Sequence, residues 1–188
     1  MFSINVLLTT IGRETLGYTL RSLVSQLQAQ DYLTVISDDN HKDVSATLSL
    51  FTFKCTIIHI SNPIRLGWWG HESRNKYQNC LMGDFIMNAD DDNVYTEGAF
   101  DKIRETVIED RLYIFRFENE ETIVWDKIGV VEKGNIDTSC GVIPNTHHLP
   151  KWETVYGGDG LFYQSLCKMI PYEFVDFKIC KTIGDDKR

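Results

Sequence analysis

Three clusters of side chains in this sequence have the means to do chemistry: Asp38-Asp39-Asn40, Asp90-Asp91-Asp92, and Asp159 between Gly158 and Gly160. The central triplet follows the largely apolar run Asp84-Phe85-Ile86-Met87-Asn88-Ala89. Adjacent carboxylates at the end of a buried strand repel one another unless something compensates them. A hard divalent cation does so, and one with open coordination sites also grips a diphosphate. The same triplet reads equally as a solvated acidic turn leading into the next helix, where Asp and Asn are favoured.

The first strand ends in Thr9-Thr10-Ile11-Gly12-Arg13 and the second in Asp38-Asp39-Asn40. Ligands of open parallel sheets bind beyond such carboxyl ends. A carboxylate at Asp38 or Asp39 can accept the imide N–H of uracil, although each residue alone also fits an ordinary turn. In Gly67-Trp68-Trp69-Gly70-His71-Glu72-Ser73-Arg74-Asn75 the glycines permit tight turns. Arg74 lies one turn into a helix, placed to fork onto nucleotide oxygens or to pair with a local acid. Trp68 and Trp69 are expected in the core. Asp159 opens a helix among glycines and suits a general base, or simply a helix N-cap. His147-His148 reads as loop rather than as metal ligands. Neither a G-x-G-x-x-G stretch nor a P-loop is present.

Short apolar runs alternating with segments of helical period indicate an α/β organisation with a largely parallel sheet. Strands are expected at 4–9, 33–37, 55–60 and 84–89. Leu16, Leu20, Leu23, Val24 and Leu27 mark an amphipathic helix over 14–30. Further helices are expected over 43–51 and 72–81, and from Thr96 as N-cap. In the second half, 112–117 and 122–125 read as a strand pair around Glu118-Asn119-Glu120-Glu121. Strands at 129–131, 141–143 and 173–177 and a helix over 159–169 complete the reading. The tail 184–188 is expected to fray.

The net charge of −8 argues against a nucleic-acid partner, whose affinity rests on Lys and Arg. An acidic chain still binds a nucleotide when a divalent cation bridges carboxylates and diphosphate. Five widely spaced cysteines without a C-x-x-C pair suggest reduced thiols. The start lacks the pattern of a signal peptide, and no apolar run reaches membrane-spanning length. A cytoplasmic location is therefore expected.

In order and spacing these motifs resemble the GT-A-fold, family-2-like glycosyltransferases. The likeness rests on Thr9-Thr10-Ile11-Gly12-Arg13, Asp38-Asp39-Asn40, Gly70 through Asn75, Gly83 through Asp92, and Gly158-Asp159. The Gly67-Trp68-Trp69-Gly70-His71 stretch also resembles compact virus-encoded transferase domains of the chlorella-virus type. The resemblance implies a mostly parallel central sheet flanked by helices, with a small antiparallel acceptor-side subdomain. It implies one domain over 1–188, with a nucleotide-sugar half at 1–95 and an acceptor half at 96–188, possible as part of a larger chain. The implied activity is inverting, single-displacement transfer of a hexose from a nucleotide-diphosphate sugar, UDP favoured, to a glycan or glycoprotein acceptor.

The resemblance also implies roles. Asp90 and Asp92 would hold Mn2+ or Mg2+ against the diphosphate, with Asp92 the direct ligand. Thr9, Thr10, Arg13, Asp38, Asp39, Arg74 and Asp90 would surround the nucleotide. Asp91 would touch the ribose or sugar or support its loop, and Asp159 would activate the acceptor hydroxyl. The first loop lacks the family's Pro, Asn40 stands where Gly is common, and no Gln-x-x-Arg-Trp motif of processive synthases occurs. Two rivals are a sugar-1-phosphate nucleotidyltransferase, which favours a Gly-rich first loop, and a non-catalytic nucleotide- or carbohydrate-binding module.

Overall fold

In a computed structural model of the chain, residues 1–38, 44–108, 110–119, 129–146 and 148–183 are described in full, and 123–124 by backbone alone. Asp39, Asn40, His147 and the tail at 184–188 lie outside the described residues, as do Thr122 and Trp125.

The first apolar runs become β1 (Ile4–Thr10), β2 (Tyr32–Ser37), β3 (Thr56–Ser61) and β4 (Phe85–Asp90), paired in parallel in the order β3-β2-β1-β4. β1 is buried along its whole length, as a central strand covered on both faces must be. Helix α1 (Leu16–Val24) buries Leu16, Leu20 and Leu23 against the sheet. It ends well before residue 30. The fully buried Asp31 carboxylate accepts the Gln28 N–H at 2.7 Å and the Ile4 N–H at 3.0 Å, and pairs with Arg104. That carboxylate turns the chain out of the helical region into β2. Helix α2 (Val44–Ser49) follows β2, and α3 (His71–Tyr77) precedes β4 and continues as the 3-10 turn Gln78–Cys80.

The second half continues the same sheet through β6 (Leu112–Glu118), β8 (Gly141–Pro144) and β9 (Tyr172–Thr182), with β7 (Ile123–Val124) on the flank of β6. β8 runs antiparallel to both β4 and β6, and β9 runs parallel to β6. The expected α/β architecture is present, with antiparallel strands as an extension of the parallel half. Helices α4 (Ala99–Thr106) and α5 (Gly158–Met169) complete it.

Three local expectations need correction. The short β5 (Asn93–Tyr95) was not foreseen; it pairs with the end of β9, which runs past residue 177 to reach it. No strand forms at 129–131, where Gly129 (φ 86°) and Gly134 (φ 81°) turn the chain. Helix α4 is capped by Gly98 in the left-handed region (φ 75°), while Thr96 only accepts the Ala99 N–H through its carbonyl at 3.0 Å. No helix among the described residues is long and apolar enough to cross a membrane.

Candidate active site

Parallel register aligns Thr9 with Asp90 and Thr10 with Ser37, so β1, β2 and β4 end on one rim. Beyond that rim the acidic loop is tied down from both sides. Asn93 Oδ1 accepts the Asp90 N–H at 2.8 Å and the hydroxyl of Ser139, and the Ile183 N–H donates to the Asp92 carbonyl at 2.9 Å. β5 and β9 therefore hold the loop by its backbone, leaving its side chains to the cleft.

The three carboxylates then divide. Asp91 is buried and occupied: Oδ2 accepts the Thr10 hydroxyl and Oδ1 the Arg13 Nε–H, each at 2.6 Å. Asp90 is half-buried, with Oδ1 2.5 Å from Arg74 Nη2. Asp92 meets Arg13 Nη1 at 3.0 Å. Burial, and next the Asp90 charge, push its carboxyl up to about 6. Asp90 and Asp92 are thus a crowded, oxygen-only pair opening into one cleft. Among the described residues no group of three or more His, Cys, Asp or Glu could hold a metal ion. Mg2+ commonly needs only one or two carboxylates, with substrate phosphate and water completing its octahedron, so the pair fits such an ion.

Arg74 is wholly buried. It donates through Nη2 to Thr9 Oγ1 at 2.9 Å as well as to Asp90, and through Nη1 to the Trp69 carbonyl at 2.9 Å. Its guanidinium lies 5.1 Å from the centre of the Trp152 ring. Pairing with a local acid describes Arg74 better than an open fork waiting for phosphate. Gly70 makes this packing possible: its φ is 79°, and a Cβ there would stand 2.3 Å from Thr9 Oγ1. Asp38 is similarly engaged. Oδ1 accepts from Asn62, Ser73 and the Leu66 N–H, each at 3.0 Å, and Oδ2 from the Gly67 N–H at 2.7 Å. Through these bonds it shapes the 62–67 loop. Trp68 and Trp69 are not core residues; they are 53% and 61% exposed.

Two clefts meet at this rim. The first, of about 480 Å³, is lined by Thr9, Thr10, Arg13, Asp38, Trp68 and the three acidic residues, among others. The second, of about 620 Å³, is lined by His71, Lys133, Asp137, Tyr156, Gly157 and Asp159, among others. Asp90, Trp69 and Thr138 border both. Asp159 sits in the first turn of α5, which is capped by Gly157 (φ 75°), so Asp159 is not its N-cap. Its Oδ1 accepts the Gly160 N–H at 2.9 Å, and burial raises its pKa.

Two residues of the second cleft were not anticipated. Asp137 caps the 3-10 turn Thr138–Cys140; burial, then Asp90 and Asp159, push it up to about 8. His71 is buried, with Nδ1 2.8 Å from the Glu153 carbonyl, and burial followed by the Arg74 charge holds its pKa down. His71 lay within a motif already singled out; Asp137 carried no local signal.

No family model and no curated protein sequence matches the chain. Its likeness to known proteins is one of shape. It matches S. aureus TarS 1-349 in complex with UDP-GlcNAc with a TM-score of 0.77 at 12% identity, over 100% of this chain and 60% of that one. The mannosyltransferase PcManGT from Pyrobaculum calidifontis, in complex with GDP-Man and Mn2+, gives 0.75 at 9% identity, over 99% and 58%. The inositol-1-phosphate CTP transferase from T. maritima gives 0.65 at 13% identity, over 99% and 90%. The chain thus spans about 60% of the TarS fragment and 37% of the longer TarS chain. These likenesses establish the fold as GT-A-like α/β.

Proposed function

We propose that this chain is an inverting, metal-dependent glycosyltransferase, moving a hexose from a nucleotide-diphosphate sugar, UDP favoured, to a hydroxyl of a glycan acceptor. The observation that carries the reading is the pair of clefts sharing Asp90: one lined by basic and acidic groups, the other by Asp159. TarS with UDP-GlcNAc and PcManGT with GDP-Man and Mn2+ share the fold, which supports a nucleotide sugar and a divalent ion here. No sequence match supports the virus-encoded likeness, and it plays no part in the proposal.

In the first cleft Asp38 Oδ2 faces the base and the Thr10–Arg13 loop the ribose and diphosphate. Asp90 and Asp92 would hold Mn2+ or Mg2+, which supplies charge stabilisation to the leaving diphosphate. Asp91 keeps Arg13 and the loop in place, and Arg74 fixes the Asp90 carboxylate against Thr9. Asp159, ionised, takes the proton of the acceptor hydroxyl as that oxygen forms the new bond. Burial has raised its basicity for this task. Asp39, expected near the base, lies outside the described residues.

A second reading has its own observation: the T. maritima CTP transferase is matched over 90% of its length. A nucleotidyltransferase must bring a sugar phosphate or polyol phosphate beside the nucleotide. The second cleft presents Asp90 and Asp159 against Lys133, a poor field for an anion. Incubation with UDP-hexoses and, separately, with UTP or CTP plus hexose 1-phosphate decides the matter. The proposal expects metal-dependent UDP release and no pyrophosphate; pyrophosphate release without sugar transfer would replace it with the second reading.

A further inference from the structure

The exposed tryptophan turn borders both clefts, Trp68 the first and Trp69 the first and second. Gly67, Trp68, Trp69 and Gly70 are consecutive residues of positive φ, at 75°, 54°, 52° and 79°. A bulky residue in that region costs about 1–2 kcal/mol. Asp38 holds the turn at its Leu66 and Gly67 N–H groups, and Arg74 holds the Trp69 carbonyl. Strain that is clamped in this way marks a site where side-chain direction matters. Here it aims Trp69 across the second cleft at Tyr156, with ring centres 6.2 Å apart and planes at 69°. Tyr156 is itself 76% exposed, with Lys133 Nζ 5.0 Å from its ring centre. The two rings make an open aromatic corner.

Next to that corner lies His71. A carbonyl only accepts, so the 2.8 Å contact with Glu153 O places the ring proton on Nδ1 and the lone pair on Nε2. His71 lines the second cleft. The ring is thus a fixed hydrogen-bond acceptor. Asp90 and Asp159 also line this cleft, with Lys133 beside Tyr156.

We propose that the second cleft binds a neutral pyranose, its apolar C–H face on the Trp69–Tyr156 corner and one hydroxyl donating to His71 Nε2. The inference rests on the transferase reading for its place beside Asp159, and it names the acceptor's chemistry: an uncharged sugar ring, not a phosphorylated one. An aromatic surface takes the apolar ring face, a lone pair takes a hydroxyl, and the Asp159 carboxylate disfavours a ring that carries its own phosphate or carboxylate.

Saturation-transfer NMR on the full chain, with UDP and Mg2+, tests this against neutral methyl hexosides and N-acetylhexosaminides in one arm and hexose 6-phosphates in the other. At least one neutral glycoside is expected to be saturated most strongly on the C–H protons of one face, with the phosphates weaker. Tyr156→Ala and His71→Asn are each expected to weaken that binding about tenfold. Asn keeps a donor for Glu153 but loses the acceptor; His71→Gln, whose amide oxygen reaches the Nε2 position, is expected to restore most of it. Stronger binding of the phosphates, no binding by any glycoside, or binding unchanged in both weakened variants would overturn the inference. UDP calorimetry on the same samples reads the first cleft alone, so failure there strikes the transferase reading and leaves the glycoside result to stand by itself.

Discussion

Asp90, Asp91 and Asp92 are consecutive, yet they meet three different environments. Asp91 is buried in hydrogen bonds to Thr10 and Arg13, Asp90 is held by Arg74, and Asp92 faces the cleft with its pKa pushed up. That a carboxylate cluster stood at this strand end was legible from residue type alone. Which member was spent on structure was not, because it depends on Arg13 and Arg74 arriving from distant segments. Hydrophobicity misled for Trp68 and Trp69, since no pattern reveals a clamped left-handed turn. In the proposed transfer Asp159 is the general base. Asp159→Asn is expected to lower kcat for sugar transfer by about 100- to 10,000-fold, with a much smaller change in donor KM. Steady-state kinetics on the donor and acceptor check this, and an unchanged kcat would remove Asp159 from the mechanism.

Among the elements, β1, β2 and β4 were readable because buried parallel strands are continuous apolar runs. The strand misplaced at 129–131 and the unforeseen β5 share a cause: short strands owe their existence to a partner. β5 exists because β9 runs on to meet it. The Gly67–Gly70 turn gives a prediction of its own. Trp68→Gly relieves a left-handed φ of 54° at an exposed site, and is expected to leave stability unchanged or raise it by up to about 1 kcal/mol. Trp152→Ala removes a ring 3.9 Å from Phe162, buried against Arg74, and is expected to cost about 3–5 kcal/mol. Urea unfolding of the two variants makes the comparison. Equal losses would mean that the turn is not strained.

For the whole molecule, the acidic composition pointed to a cation-bridged anionic ligand, and the fold brings Asp38, Asp90, Asp91, Asp92, Asp137 and Asp159 to the two clefts. Asp137 shows the consequence for stability. Unfolded, its carboxyl titrates near 4; folded, it keeps its proton to about 8. The folded state therefore binds more protons across this window, so the contribution is full below about pH 4 and is lost as pH rises through about 8. Asp137→Asn is expected to remove that loss: in EDTA, wild type falls by about 1 kcal/mol or more relative to the variant between pH 5 and 8.5. Parallel pH dependences in urea unfolding would contradict it. The parallel half of the sheet and its acidic rim were legible at this scale, because local runs and strand ends encode them. The meeting of the two clefts at Asp90 was not, because it needs the Thr138 turn and the α5 entry brought across the sheet. We propose that this face binds a nucleotide diphosphate through a metal held by Asp90 and Asp92. Calorimetric titration of UDP, with Mn2+ or Mg2+ and with EDTA, tests it most directly. Affinity is expected to rise at least about tenfold with metal, and the gain to vanish in Asp92→Asn. Equal affinity with and without metal, or a gain that survives in Asp92→Asn, would contradict the account.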